Sequence, residues 1–303
     1  MRAAVVTAFG TPPTCQDFPV PEPATKDEVL VDVVAAGLHP RVRSQADGSH
    51  YTEKGELPLV PGIDGVGRAP DGTLRYFVLP DTTMGAMAER TVVDLRRSVV
   101  LPDDADPVLV AAGMNPAMSA WVALRRRIDF AAGQDVLVLG ATGNAGRLAV
   151  QVAKHLGAGR VFAAGRNPER LAALPADRAL TLDDVGEAAD VDVVLDYLWG
   201  PPTADALREI VTHRADRGRP LTWVEIGSVA GRTTELPSAA LRAARLQLVG
   251  SGQGSVPTRD IVAELQSLVA ELGAFRIDAR TVPLADVETA WKETGDQRLV
   301  VTP

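Results

Sequence analysis

The stretch Gly140-Ala141-Thr142-Gly143-Asn144-Ala145-Gly146 comes directly after the apolar run Val136–Leu139. Between residues 148 and 156 apolar side chains recur at every fourth position, and Gly157 stands where a helix commonly ends. Glycines between a strand and a helix allow a sharp turn, a close approach of backbone to a pyrophosphate, and tight packing of the helix on the strand. The order of strand, glycines, helix and second strand therefore predicts a dinucleotide-binding site.

This glycine loop is expected to hold the pyrophosphate, because the first turn of a helix presents unpaired N–H groups and the positive end of its dipole. The usual G-x-G-x-x-G frame has Ala141 in place of its first glycine, with Gly140 just before it. Small residues thus still occupy the tight turn. The predicted cofactor contacts in the loop are Gly140, Ala141, Thr142, Gly143, Asn144, Ala145 and Gly146.

The second apolar run, residues 161–164, ends in Gly165, Arg166 and Asn167, and no carboxylate follows until Glu169. Proteins that bind NAD usually have Asp or Glu there to bind the ribose 2′-hydroxyl. An arginine pairs instead with a 2′-phosphate. The sequence therefore predicts NADPH, held by Gly165, Arg166 and Asn167. The alternative is that Arg166 is a solvated surface residue and that Asn167 only begins a helix.

Size and composition narrow the class of protein. A chain of 303 residues with 46% hydrophobic residues is expected to form two soluble domains. Its net charge of -8 gives no electrostatic reason for a nucleic-acid or anionic-membrane partner. Its apolar stretches look shorter than the roughly twenty residues of a membrane helix, and residues 1–6 read as a first strand. The single cysteine, Cys15, excludes an internal disulfide and fits a cytoplasmic location.

The pattern of elements changes along the chain. Short β-like runs broken by Pro and Gly predict an irregular β domain at the start; they lie at residues 3–6, 29–36, 74–79 and 91–93. Apolar strands then alternate with helical patterns, which predicts βαβ units and a parallel sheet; these strands lie at residues 136–139, 161–164, 193–195, 222–226 and 246–249. The last β-like runs, 280–284 and 299–301, flank a predicted helix at 286–295 and are expected to return to the first domain.

Several further motifs carry a family resemblance over essentially the whole chain. They are residues 4–6, 58–67 (PLVPGIDGVG) and 85–89 (GAMAE), then Asn115-Pro116 with Ser119-Ala120-Trp121, the glycine loop, and residues 224–228 (VEIGS). Together they resemble the zinc-independent quinone oxidoreductase branch of the medium-chain dehydrogenase/reductase superfamily. The resemblance implies an α/β fold with a GroES-like irregular β domain, residues 1–112 and 280–303, and a doubly wound Rossmann domain, residues 113–279. It also implies an active site in the cleft between them, and a homodimer that pairs the strand at 246–249 with its twin.

The resemblance also bears on metal binding. Zinc-dependent relatives carry a catalytic Cys, a His-Glu pair and a second Cys. This chain has His39 near the first of these positions and Ile63-Asp64 at the pair, while Cys15 lies outside the motifs. A catalytic zinc takes three protein ligands, and the four histidines do not supply them at motif spacing. We therefore predict that the chain binds no metal.

Metal-free reduction leaves hydride donation to the cofactor and leaves orientation, and in some cases proton delivery, to the protein. Tyr51 is the candidate proton donor, because the run from His39 to Pro58 is similar to the proton-donating segment of related enoyl reductases. A free tyrosine has a pKa of about 10 and donates a proton without a charged base beside it. His39 and Asn115 are the other two catalytic candidates. The alternatives are a loop aromatic at Tyr51, a turn cap at His39, and solvent as the proton source. Asn115 is a candidate cleft contact or, alternatively, a turn-initiating residue.

The remaining candidate contacts follow strand ends, where a cofactor sits in a doubly wound sheet. They are Tyr197, Gly227, Ser228 and Gly252. The alternative for Tyr197 is packing against a neighbouring helix, and for Gly252 it is a flexible turn. The leading hypothesis is an NADPH-dependent reductase of a quinone or another α,β-unsaturated carbonyl. An enoyl-thioester reductase and a catalytically silent NADPH-binding sensor stay open as alternatives.

Overall fold

A computed structural model describes residues 1–50, 55–293, 295 and 297–303 of the chain. These residues form two compact units. The first unit comprises Met1–Asn115 and Leu265–Pro303, and the second comprises Pro116–Glu264. The domain boundaries predicted from the sequence lie after residue 112 and before residue 280 instead, and that division stays a prediction.

The elements are numbered in chain order. Those of the first 122 residues are β1 (Arg2–Val5), β2 (Thr14–Asp17), β3 (Glu28–Leu38), α1 (Pro40–Ala46), β4 (Asp64–Arg68), β5 (Leu74–Val78), β6 (Arg90–Asp94), β7 (Ser98–Val100) and α2 (Pro107–Val122). Then follow β8 (Val136–Leu139), α3 (Asn144–His155), β9 (Val161–Gly165), α4 (Pro168–Ala172), β10 (Arg178–Thr181), β11 (Val193–Asp196), α5 (Gly200–His213), β12 (Leu221–Glu225), α6 (Ser238–Ala243) and β13 (Leu246–Gly250). The last are α7 (Thr258–Glu271), β14 (Ala279–Pro283), α8 (Val287–Lys292) and β15 (Arg298–Thr302).

The first unit contains the expected irregular β structure. β1 and β2 pair in a small antiparallel sheet, and a larger sheet has the order β14-β15-β3-β4-β5-β7 with β6 paired to β3. β15 runs antiparallel to β3, with Leu299 opposite Leu38 and Val301 opposite Ala36. The C-terminal end of the chain therefore returns to the N-terminal sheet, which confirms the prediction made from residues 280–284 and 299–301.

The second unit contains a six-stranded parallel sheet in the order β10-β9-β8-β11-β12-β13. Its apolar strands are buried beneath helices, with Leu137, Val194 and Trp223 in the same core cluster as Leu207 of α5. The strand order reverses direction between β8 and β11, and a dinucleotide binds across such a switch point. β10 was not predicted, because only Leu180 of its four residues is buried and the strand has no apolar run.

Helix α2 continues into a short π-helical segment, Ala123–Arg127. Together they form the one helix among the described residues that is long and apolar enough, by length and composition, to cross a membrane. The expectation that no apolar segment reaches such a length is therefore wrong. Of the 18-residue apolar window in this helix, 67% is buried inside the protein. A helix in the core of a folded protein has the same property.

Candidate coenzyme site

The glycine loop forms a tight turn at the carboxyl end of β8. Gly140 has a φ of 82°, a conformation that glycine adopts at no steric cost. Its amide and that of Ala141 both donate to the carbonyl of Ala164 on β9, each at 3.0 Å. A Cβ on Gly140 would lie 2.9 Å from Cδ2 of Leu198. The loop is thus fixed between the ends of the two neighbouring strands β9 and β11.

Helix α3 begins at Asn144 directly behind this turn, with Gly143 as its N-cap. A Cβ on Gly146 would lie 2.7 Å from Cα of Ala141, so only glycine lets the helix pack this close to the loop. The first amides of a helix have no intrahelical acceptor, and a glycine N-cap supplies no side chain for them. The loop residues predicted to bind a pyrophosphate therefore surround a helix start with free donors, and their contact with a coenzyme stays a prediction.

The end of β9 presents an arginine to solvent. Gly165 is buried and Arg166 is exposed. A Cβ on Gly165 would lie 3.3 Å from Oγ1 of Thr142, so the missing side chain lets the loop hydroxyl come close to this strand end. Asn167 is the N-cap of α4, where its Oδ1 accepts from the amide of Arg170 at 3.0 Å. The helix-start interpretation of Asn167 is thus confirmed, and its role toward a coenzyme stays a prediction.

Tyr197 lies on the other side of the switch point, directly after β11. Its amide donates to the carbonyl of Leu139 at 3.2 Å, and its Cβ lies 3.4 Å from the position of a Cβ on Gly140. A Cβ on Gly227 would lie 3.3 Å from the carbonyl oxygen of Tyr197. Three of the predicted contacts, Gly140, Tyr197 and Gly227, therefore meet at one edge of the sheet. Ser228 follows Gly227 there.

The hydroxyl of Tyr197 lies 2.9 Å from Oγ of Ser119 on α2. Burial raises the pKa of this phenol, so it stays protonated at neutral pH. The alternative of packing against a helix is therefore confirmed for Tyr197. Gly252 lies in an exposed turn, where its amide donates to Oγ of Ser255 at 2.7 Å.

Asp196 is a fully buried carboxylate at the end of β11 that the sequence did not single out. Its Oδ1 accepts from the amides of Leu198 at 2.8 Å and Trp199 at 3.1 Å. Its Oδ2 accepts from the hydroxyl of Thr203 at 2.6 Å and from the indole of Trp223 at 3.0 Å. Asp196 therefore fixes the turn that carries Tyr197. The one signal for it in the sequence is an aspartate that closes an apolar strand.

Glu225 lies beside Asp196 at the end of the neighbouring strand, β12. The two residues are paired in the register of the sheet, so their side chains share a face. Burial, and then the negative charge of Asp196, raises the pKa of Glu225. The carboxyl edge of the sheet thus holds one carboxylate, Asp196, that accepts from four donors, and one carboxyl group, Glu225, whose pKa is raised.

A Glu225→Gln variant tests this electrostatic relation. A carboxyl group with a raised pKa contributes stability below its unfolded pKa and loses it as pH rises through the folded value. We expect the variant to have a higher urea midpoint than the wild type at pH 8, with a difference that shrinks as pH falls to 4. Glu235→Gln, at a side chain 90% exposed, is the matched control and is expected to leave the midpoint unchanged. A pH-independent difference for Glu225→Gln would contradict the raised pKa.

In the first unit, His39 belongs to a buried polar network. Its Nε2 donates to Oδ1 of Asp64 at 2.9 Å, and the hydroxyl of Tyr76 donates to Oδ2 at 2.8 Å. Burial lowers the pKa of His39 below its usual value although Asp64 opposes the shift, so the imidazole is neutral at neutral pH. His39 is the N-cap residue of α1, as the turn-cap alternative expects, but its side chain makes no cap hydrogen bond and bonds to Asp64 instead.

The other two catalytic candidates have different outcomes. Asn115 is half-buried inside α2, so the interpretation as a turn-initiating residue is wrong. Tyr51 lies outside the described residues. The catalytic roles of Tyr51, His39 and Asn115 stay predictions.

The described part of the chain contains no group of three or more His, Cys, Asp or Glu side chains placed to hold a metal. His39 and Asp64, which stand at or near ligand positions of zinc-dependent relatives, are bonded to each other. The prediction of a metal-free site stays a prediction.

The two units define a class of protein: one with a doubly wound parallel sheet of the dinucleotide-binding type and a separate antiparallel β unit. No family model matches the chain. It is 32% identical to the "Probable NADPH-dependent quinone reductase tdiC" of Emericella nidulans, over all of both chains. The quinone oxidoreductase of Thermus thermophilus, whose crystal structures include a complex with NADPH, superposes with a TM-score of 0.84 at 29% identity, again over all of both chains.

A third relative matches over part of its length. The chloroplastic NADPH-dependent alkenal/one oxidoreductase of Arabidopsis thaliana is 32% identical over 59% of this chain and 52% of that protein. The full-length matches show the family. The chain belongs to the quinone oxidoreductase-like branch of the medium-chain dehydrogenase/reductase superfamily.

Proposed function

We propose that this protein is an NADPH-dependent, metal-free reductase that transfers hydride to a quinone or another α,β-unsaturated carbonyl. The observation that carries the proposal is the exposed guanidinium of Arg166 at the end of β9, where an NAD-binding protein has a carboxylate. The relatives from Emericella and Thermus support it, because NADPH and quinone are named for both.

The residues present fit this coenzyme. The positive φ of Gly140 and the close approach of Gly146 to Ala141 leave room for a pyrophosphate before α3, whose first amides are free to donate. Arg166 supplies a planar, permanently charged donor for the 2′-phosphate. The bound coenzyme supplies the hydride. The chain binds and orients it, and Tyr51 is the proposed proton donor to the reduced acceptor.

A panel of acceptors tests the activity. NADPH oxidation is followed with quinones, enones and enoyl thioesters, with NADH in parallel and after exhaustive chelation. We expect turnover with a quinone or enone, a kcat/KM for NADPH at least about tenfold above that for NADH, and full activity after chelation. Turnover of enoyl thioesters alone, lost in Tyr51→Phe, would favour the enoyl-thioester reductase. Tight NADPH binding without turnover of any acceptor would favour the sensor.

We also propose that the protein is a cytoplasmic homodimer. β13 forms one end of the parallel sheet, and in the described structure it pairs with β12. Its residues Leu246, Leu248 and Val249 are only half-buried. An exposed edge strand with apolar residues tends to pair with another chain, and pairing with a second copy of this protein covers it. A monomeric mass in sedimentation equilibrium would contradict the dimer.

A further inference from the structure

Two hydroxyl groups of the second unit form a chain that ends at a backbone carbonyl. Oγ of Ser119 lies 2.7 Å from the carbonyl oxygen of Pro116, one turn earlier in α2. The same Oγ lies 2.9 Å from the hydroxyl of Tyr197. Ser119 is half-buried and Tyr197 is 8% exposed, so packing holds both side chains in place.

The number of hydrogens fixes the direction of this chain. A serine hydroxyl has one hydrogen to donate. If Ser119 donates to Pro116, Tyr197 donates to Ser119 and both hydrogen bonds form. If Ser119 donates to Tyr197 instead, the hydrogen bond to the Pro116 carbonyl is lost. The first arrangement is the more stable, and in it the phenol hydrogen is already used. The Tyr197 oxygen is therefore left as an acceptor.

The position of Tyr197 determines which part of a dinucleotide it is near. A dinucleotide crosses the sheet at the switch point between β8 and β11. Arg166 stands after β9, on one side of that point, and Tyr197 stands after β11, on the other. With the 2′-phosphate at Arg166, the nicotinamide half extends over the end of β11. The Cβ of Tyr197 lies beside Gly140 and its backbone lies beside Gly227, two positions without side chains.

We propose that the Tyr197 oxygen accepts a hydrogen bond from the carboxamide N–H of the nicotinamide, and that Ser119 is the positioning residue that keeps it an acceptor. This inference rests on the proposed function, since it requires NADPH. The carboxamide is the one group on the nicotinamide ring that carries an N–H. A hydrogen bond to it fixes the rotation of the ring and hence the face that meets the acceptor.

The test removes the phenol hydroxyl of Tyr197 and the carboxamide N–H of the coenzyme, separately and together, and compares the binding constants. Dissociation constants are measured by titration for NADPH and for its reduced 3-acetylpyridine analogue, in which a methyl ketone replaces the amide and no N–H remains. For the wild type we expect the analogue to bind about 3- to 10-fold more weakly, the net worth of one hydrogen bond. In Tyr197→Phe the two constants are expected to become equal. Tyr197→Phe removes one atom, and its thermal midpoint checks that it is folded.

Ser119 provides the second pair of variants. Ser119→Ala frees the phenol hydrogen and is expected to reduce the ratio of the two constants, whereas Ser119→Thr keeps a hydroxyl and is expected to restore it. A purely structural role for the pair would change the thermal midpoint and leave this ratio unchanged. An unchanged ratio in both Tyr197→Phe and Ser119→Ala, with tight NADPH binding, would overturn this inference alone. Failure of the wild type to bind NADPH would overturn the proposed function as well.

Discussion

An Arg166→Ala variant is expected to bind NADPH roughly 10- to 150-fold more weakly than the wild type and to bind NADH equally well. A hydrogen-bonded pair between a guanidinium and a phosphate contributes about 1.5–3 kcal/mol, which corresponds to that range. Arg166 is exposed at the end of β9, and the next acidic residue, Glu169, lies in α4. The dissociation constants of both coenzymes, measured by titration at low salt, check the prediction.

Two further variants define the origin of the effect. Arg166→Lys keeps the charge without the planar fork, so an intermediate loss is expected. Arg242→Ala removes an exposed arginine from α6 whose Nε bonds to the backbone of Ser238, and it is expected to change neither constant. Added salt should weaken NADPH binding to the wild type more than to Arg166→Ala, because an exposed pair is screened. Equal NADPH affinity of Arg166→Ala and wild type would place the 2′-phosphate elsewhere.

Local patterns explain how much of the fold was predictable. The strand Val136–Leu139 was predicted with its observed bounds, and Gly157, just past α3, has the positive φ of a helix C-terminus. The glycine loop was predictable because the turn conformation, the helix start and the strand are encoded within one short segment. β10 was missed because it buries a single side chain and has no apolar run.

Contacts between distant residues explain what the sequence did not show. Ser119 and Tyr197 are separated by 78 positions, and His39 and Asp64 by 25. No periodicity links such pairs, because tertiary packing alone brings them together. The motif at residues 58–67 indicated a place in the family, but the sequence carried no sign that Asp64 would bind His39. Burial decides the protonation state of such groups, and burial at a loop is not a property of the local sequence.

Asp196→Ala is expected to have the largest effect on stability. Two of the four donors to this fully buried carboxylate are side chains, Thr203 and Trp223, and the substitution leaves all four without an acceptor. Each unsatisfied buried donor costs about 1–3 kcal/mol before relaxation. We expect a loss of about 3–5 kcal/mol in the free energy of unfolding, or on the order of 10 °C in Tm. Urea and thermal unfolding followed by circular dichroism measure it.

Two further variants distinguish the loss of hydrogen bonds at Asp196 from the loss of packing. In Asp196→Asn the amide oxygen still accepts from two donors, but its NH2 group faces the indole of Trp223, which cannot accept, so a smaller loss is expected. Asp205→Ala removes a carboxylate 70% exposed on α5 and is expected to stay within about 0.5 kcal/mol of the wild type.

Asp196 also holds Trp199 at a φ of 52°, an unfavourable conformation for a residue with a Cβ. Loss of the carboxylate should release that turn and displace Tyr197, so NADPH binding by the folded Asp196→Ala protein should weaken too. An unfolding free energy like that of Asp205→Ala would show that water replaces the carboxylate at no cost.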